Sequence, residues 1–246
     1  MNFIDGHIYH IYNRGNNKQL IFFKDENYRY FLRKVKSSIL PLADILAFCL
    51  MPNHFHFMVM VRSHSSDHFA RASAPDSGQT NPGHFALAGT QDSGQANPGH
   101  FARASAPDSG QTNSSHPLVG KIAHMLSSYT RAINIQETRT GSLFTKKTKA
   151  KDITEGESSR RVKGLHPGQS IYALNCFHYI HQNPIKAGLV KKMEDWEFSS
   201  FREFSKDIPD GIVNPKWVQE IIGFDIESFG AQSYDILNEK DVEGIW

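Results

Sequence analysis

The chain has 246 residues, of which 39% are hydrophobic and 21% charged, and its formal net charge is +2. These values suit one globular domain with additions or two small domains. The longest apolar run, residues 45 to 51, is too short to span a membrane, and the N-terminus lacks a secretory pattern. We therefore expect a soluble, intracellular protein. Its two cysteines, Cys49 and Cys176, lie in apolar surroundings, which indicates buried free thiols.

The first part of the chain predicts a strand, a helix and a hairpin. Residues 6 to 15 alternate β-branched and aromatic side chains and close at a glycine, which is typical of a strand. Asp25 begins a helix with an apolar face that ends before Pro41. Residues 43 to 50 and 55 to 61 are apolar runs joined by the turn sequence MPN, and they predict a β-hairpin.

Residues 63 to 115 have a different composition, with a repeat of sixteen residues rich in Gly, Pro and Ser. One phenylalanine in each unit buries too little apolar area to offset the ordering entropy, so we expect a low-complexity insertion that lacks a packed core. His68, His84 and His100 recur once in each unit, but no carboxylate or thiol stands at ligand spacing, and a metal site there is disfavoured.

The second part of the chain predicts a helix, a basic strand and another helix. Pro117 begins a helix whose apolar spacing places Tyr129 on the face turned toward the sheet. Residues 141 to 153 are predicted to form a strand, and residues 171 to 182 a helix that stops at the sequence NPIKAGLV. The core order is then β-α-β-β-α-β, an α+β fold. The predicted domain is 1–205, interrupted by 63–115 and followed by an acidic extension, 206–246.

The sequence NHFHF holds two candidate metal ligands, His54 and His56. Residues i and i+2 of a strand share a face, so the two imidazoles would stand side by side. Taken alone, histidines in an apolar strand are more often packed core residues, and a tyrosine on an apolar helix face, such as Tyr129, is also more often structural. The helix that carries Tyr129 is predicted to pack on the sheet that carries His54 and His56. This shared location favours a catalytic interpretation.

Five segments of the chain resemble the single-tyrosine HUH transposases, and within them the REP-associated tyrosine transposase-like proteins of the insertion-sequence 200-like superfamily. The segments are YNRGNNKQLIFFKDENYRYFL, CLMPNHFHFMVMV, SSYTRAINIQETRTGSLF, YIHQNPIKAGLV and WEFSSFREF, and they occur in family order. The resemblance implies a ferredoxin-like or palm-like antiparallel sheet with helices on one face and C-terminal helical additions. It also implies cleavage and rejoining of single-stranded DNA at sites that bear hairpins.

Carried onto this chain, the resemblance implies that Tyr129 attacks the scissile phosphodiester and forms a 5′-phosphotyrosine link. A phenol is a better leaving group than a sugar hydroxyl, so the link can be reversed by a 3′-OH. His54 and His56 would hold a divalent metal, Mg²⁺ or Mn²⁺, together with a third ligand from the tyrosine helix. Asn134 is the favoured third ligand and Gln136 the alternative.

Basic side chains predict the DNA contacts: Arg14, Lys146, Lys147, Lys149 and Lys151. His178 and His181, in the predicted third helix, are expected to be packing or helix-capping residues. The expected partner is hairpin-bearing single-stranded DNA, bound by a monomer or a homodimer. The resemblance also implies a prokaryotic protein located in the cytoplasm and associated with the nucleoid. Two alternatives stay open, a domesticated hairpin-DNA-binding protein that lacks catalysis and a metal-dependent phosphodiesterase that uses water. The second is disfavoured because no carboxylate lies near the histidine pair.

Overall fold

The computed structural model describes residues 1–63, 116–154, 171–205, 208 and 211–235. These residues form four strands and six α-helices, with short 3₁₀ turns at Asn16–Lys18 and Met193–Asp195. In chain order the elements are β1 (Ile8–Arg14), α1 (Asp25–Ser38), β2 (Ala43–Met51), β3 (His54–Val61), α2 (Pro117–Gln136), β4 (Lys149–Asp152), α3 (Ile171–Lys186), α4 (Phe201–Ser205), α5 (Pro215–Ile222) and α6 (Phe229–Tyr234).

The four strands form one sheet in the order β2-β3-β1-β4, and every neighbouring pair is antiparallel. Strands β2 and β3 pair as a hairpin across the turn at Pro52 and Asn53, so the predicted hairpin is confirmed. The β-α-β-β-α-β order with this antiparallel sheet confirms the predicted ferredoxin-like α+β fold.

The two faces of the sheet carry different side chains because residues alternate along a strand. Phe55 and Phe57 of β3 lie on the face covered by α1 and α2, where the Phe31 ring is 5.3 Å from that of Phe55. His54 and His56 therefore lie on the opposite face, against α3. We call these the α1/α2 face and the α3 face. The prediction that helices cover one face describes α1 and α2, whereas α3 covers the other.

The C-terminal helices pack on the side of α3 that faces away from the sheet. The Phe177 ring lies 5.1 Å from that of Phe204 and 4.9 Å from that of Phe224. His178 Nδ1 is 3.0 Å from Ser233 Oγ, and His181 Nε2 is 2.8 Å from Ser200 Oγ, all of these side chains being buried. The two histidines thus have the packing positions predicted for them, and part of the acidic extension docks on the core.

Two element boundaries differ from the sequence prediction by more than two residues. β4 begins at Lys149, because the residues after Gly141 make only an isolated bridge, between Phe144 and Gly15, before pairing with β1. α3 continues through Pro184 to Lys186, whereas the proline was predicted to stop it. The predicted insertion beyond residue 63 lies outside the described residues, as do several positions of the acidic extension. No helix in the described ranges is long and apolar enough to cross a membrane.

Candidate active site

The histidine pair occupies the start of β3, directly after the hairpin turn. The two rings are 5.1 Å apart between centroids and nearly perpendicular. His54 Nδ1 is 2.6 Å from Asn53 Oδ1, and His56 Nδ1 is 2.9 Å from Nε2 of the buried His10. In each imidazole, Nδ1 contacts a neighbouring side chain. Nε2 is therefore the ring nitrogen considered below as a metal ligand.

Both histidines are neutral near pH 7. Burial lowers the pKa of His54 to about 4, an effect that the hydrogen bond with the Asn183 side chain partly offsets and that the positive charge of Arg14 reinforces. Burial, with some contribution from His10 and His54, also lowers the pKa of His56 well below its usual range. Neutral imidazole is the form that binds a metal, so the histidines are prepared for ligation without a protonation change.

Helix α3 brings a tyrosine and an asparagine to the histidine pair. The Tyr179 ring centroid is 5.9 Å from that of His56, with the rings nearly perpendicular. Asn183 lies one helical turn after Tyr179, so both side chains project from the same face of α3. The Asn183 side chain raises the pKa of His54 and lowers that of Tyr179, so it lies beside both groups. The structure therefore joins two residues of β3 and two of α3 into one cluster.

The orientation of Asn183 follows from the proline after it. Pro184 has no N–H, so the Ile180 carbonyl loses the donor that a regular helix would supply. Asn183 Nδ2 donates instead, at 3.4 Å to Ile180 O and at 2.9 Å to Tyr179 O. These bonds engage the amide nitrogen, so Oδ1 is the atom of Asn183 that can act as a ligand.

Tyr179 is buried, with 5% of its surface exposed, and one basic side chain, that of Lys186, lies over its ring. Burial raises the pKa of its phenol above the usual range. Lys186 Nζ lies 5.2 Å from the centre of the Tyr179 ring, and Lys151 Nζ lies 4.6 Å from that of Tyr172. Arg14 pairs with His54 in the strand register. Lys186 and Arg14 therefore add positive charge next to the cluster, which suits a phosphate-bearing substrate.

Tyr129 does not belong to this cluster. Its ring is fully buried on the α1/α2 face, 4.9 Å from that of Phe31, and its hydroxyl donates to Ile21 O at 2.7 Å. Because Phe31 packs on Phe55, the sheet separates Tyr129 from the histidines. The predicted meeting of Tyr129 with the histidine pair is wrong, since an apolar helix face shows that a residue faces the sheet but not which side of the sheet it faces.

Asn134, the predicted third ligand, is also separated from the histidines. It lies near the end of α2, and its Nδ2 donates to Gly141 O at 2.8 Å. Gln136, the alternative, accepts from Asn27 Nδ2 at 2.9 Å. Both residues belong to the helix on the α1/α2 face, so the structure does not support either as a ligand beside His54 and His56.

The predicted DNA-binding residues divide between the two faces. Lys149 and Lys151 of β4 pair with Tyr12 and His10 of β1, which places them on the α3 face with Arg14. Lys146 and Lys147 precede β4 and, together with Lys149 at the start of that strand, line a groove of about 750 Å³ beside α2. Arg14, Lys149 and Lys151 therefore share a face with the candidate site, whereas Lys146 and Lys147 lie around the edge of the sheet.

The sequence contains a signal for the two residues that were missed. Tyr179 and Asn183 are the first and last residues of YIHQN, a spacing of i and i+4 that places them together on a helix. The prediction ended the helix at residue 182, which separated Asn183 from it. A helix that continues through Pro184 was needed to bring the pair together.

The side chains of the cluster that could act as metal ligands offer nitrogen and oxygen atoms. Within the described ranges there is no group of three or more His, Cys, Asp and Glu side chains placed to hold a metal. His54, His56 and Asn183 supply two imidazoles and one amide oxygen, a set that Mn²⁺ accepts more readily than Mg²⁺. The Nδ1 contacts of both histidines are of the kind that orient metal ligands, so the residues present fit such an ion.

Comparison with known proteins gives one structural likeness. No family model matches the chain, and no curated protein matches it either. A solved structure described as "Structure of the REP associates tyrosine transposase bound to a REP hairpin" is 14% identical, covers 92% of this chain and 93% of its own, and has a TM-score of 0.45. This similarity is too low to assign a family, so the fold and the site rest on the geometry of the chain itself.

Proposed function

We propose that this protein is a metal-dependent DNA strand transferase that binds hairpin-bearing single-stranded DNA and cleaves it with Tyr179. The observation that carries the proposal is the cluster of Tyr179, Asn183, His54 and His56 on the α3 face. The five sequence segments that resemble single-tyrosine HUH transposases agree with it. Tyr179 takes the nucleophilic role predicted for Tyr129, and Asn183 the ligand role predicted for Asn134.

The chemistry is an exchange of phosphate esters. A divalent cation held by His54, His56 and Asn183 would offset charge on the non-bridging oxygens of the scissile phosphate. The Tyr179 oxygen attacks phosphorus, the bond from phosphorus to the 3′ oxygen breaks, and the phenolic proton passes through solvent to the departing 3′ oxygen. The products are a 5′-phosphotyrosine and a free 3′-OH, and attack by a 3′-OH reverses the step.

Two effects act in opposite directions on the Tyr179 phenol. Burial raises its pKa, since the phenolate would lie in a medium of low dielectric constant, and the Asn183 side chain partly offsets this effect. Lys186, whose own pKa is lowered by burial, adds positive charge beside the ring. Arg14 and Lys151 would hold flanking phosphates.

The rival function is hairpin-DNA binding without catalysis. The observation that favours it is the burial of Tyr179, because the ring must become accessible to phosphorus before it can react. The basic α3 face would bind DNA equally well under either function. The two functions therefore differ in whether a covalent product forms.

The test is incubation of the full chain with a labelled, hairpin-flanked single-stranded oligonucleotide and Mn²⁺, followed by denaturing electrophoresis. We expect a covalent adduct with the wild type and with Tyr129→Phe, and none with Tyr179→Phe. An adduct that persists in Tyr179→Phe would overturn the assignment of the nucleophile. Binding without any adduct would support the rival function, and cleavage without an adduct would support hydrolysis by water.

A further inference from the structure

His10 is a fully buried histidine that contacts the candidate ligand His56. It lies on β1, and its Nε2 is 2.9 Å from His56 Nδ1. The His10 and His56 rings are 5.1 Å apart between centroids and nearly parallel, and the Tyr12 ring stacks against both, at 4.8 Å from His10 and 6.0 Å from His56. This packing holds both imidazoles in place, so the contact between the two nitrogens is a fixed feature of the sheet.

One proton occupies that contact, and its position decides whether His56 can bind a cation. If His56 Nδ1 carries the proton, Nδ1–H donates to His10 and His56 Nε2 keeps the lone pair that a metal needs. If His10 Nε2 carries it, His56 is protonated at Nε2 and cannot bind through that atom. His54 has no such ambiguity, because its Nδ1 faces the amide oxygen of Asn53, which only accepts.

We propose that His10 is a positioning residue that accepts the hydrogen bond from His56 Nδ1 and so keeps His56 in its cation-binding tautomer. The inference rests on the proposed function, in which His56 is a ligand. Carboxylates and backbone carbonyls usually orient metal-bound histidines in this way. A neutral imidazole suits this site, because a carboxylate with no exposed surface would cost far more to bury.

Two substitutions separate orientation from packing. His10→Gln retains an acceptor, the side-chain Oε1, at a similar reach, whereas His10→Phe retains the ring volume and removes the acceptor. His7→Phe is the matched control, because His7 precedes the same strand and its imidazole pairs with Asp152 at the surface. Circular dichroism and thermal melting of each variant check that the fold is intact.

The first measurement is the tautomer of His56 in the metal-free protein, read from ¹⁵N chemical shifts of the imidazole ring. We expect His56 to carry its proton on Nδ1 in the wild type and in His10→Gln, and to populate both tautomers in His10→Phe. A wild-type His56 protonated on Nε2, or a His10→Phe variant with an unchanged spectrum, would overturn the proposal.

The second measurement is Mn²⁺ affinity by titration calorimetry. We expect His10→Phe to bind roughly 10- to 100-fold more weakly, the range seen when such orienting partners are removed, and His10→Gln and His7→Phe to bind as the wild type does. Equal Mn²⁺ affinity in His10→Phe and in the wild type would also overturn the proposed role of His10. A wild type that binds no Mn²⁺ contradicts the proposed function instead, and in that case the ¹⁵N spectra alone decide the role of His10.

Discussion

Removing the hydroxyl from Tyr129 or from Tyr179 should give opposite results for stability and for catalysis. The Tyr129 hydroxyl donates to Ile21 O at 2.7 Å inside the core, so Tyr129→Phe leaves a buried carbonyl without this donor. An unsatisfied buried group costs about 1 to 3 kcal/mol. At about 2 to 4 °C for each kcal/mol in a chain of this size, the melting temperature should fall by roughly 2 to 12 °C.

Tyr179→Phe removes a hydroxyl that lies in the candidate site, where the Asn183 side chain lowers its pKa. We expect it to change stability by no more than about 1 kcal/mol, the net value of one ordinary hydrogen bond, and to abolish covalent attachment to DNA. Scanning calorimetry and denaturing electrophoresis on the same preparations measure both properties. A Tyr129→Phe protein that melts like the wild type and forms no adduct would refute this reasoning.

Three further predictions concern the ligands, the pH dependence and the basic face. Asn183→Ala should weaken Mn²⁺ binding in calorimetry on the order of tenfold or more, whereas the control Asn134→Ala should not; equal loss in both would contradict the ligand assignment. Burial lowers the pKa of His178 to about 4 and that of His181 to about 3, whereas a histidine in the unfolded chain has a pKa of about 6.5. The contribution of these two histidines to the free energy of unfolding is therefore fully present above pH 6.5 and is lost as the pH falls toward 3. Melting temperatures measured from pH 7 to pH 4 should therefore decline, and the decline should be smaller in His178→Phe; a flat profile would contradict this. Lys151→Gln should lower the slope of log affinity against log salt by about 0.7 for single-stranded DNA in fluorescence titrations, and an unchanged slope would remove Lys151 from the interface.

Much of the fold could be predicted because its signals are local. Alternation along residues 6 to 15 and the MPN turn predicted β1 and the hairpin, and the apolar spacing after Pro117 predicted α2. The position of the histidine pair on one face followed from the period of a strand. These patterns depend on neighbours in sequence, so they required no knowledge of tertiary packing.

The proposed nucleophile, Tyr179, could not be predicted in the same way, because the choice between tyrosines depends on which face of the sheet each helix covers. Tyr129 lies on a clear apolar stripe, and that stripe marks a helix packed on the face away from the histidines. α3 has no single stripe, since it is buried between the sheet on one side and α4 and α6 on the other. Its polar residues therefore have two roles: His178 and His181 contact the C-terminal helices, whereas Tyr179 and Asn183 contact the histidine pair.

The basic residues show a similar limit. A run of lysines before and along β4 predicts a charged surface. At the edge of the sheet, however, the lysines of one run can lie on different sides of the sheet. Lys151 reaches the α3 face, where it contacts Tyr172, while Lys146 and Lys147 line the groove beside α2. The sequence predicted that a basic surface exists. The pairing of β4 with β1 was needed to determine which face of the sheet each lysine of the strand occupies.

The central claim is that Tyr179 is the residue that joins covalently to DNA. Digestion of the adduct with protease and nuclease, followed by tandem mass spectrometry, identifies the tyrosine that carries the nucleotide phosphate. The account predicts a nucleotide phosphate on the peptide that contains Tyr179. Modification of Tyr129, or of any other residue, would contradict it.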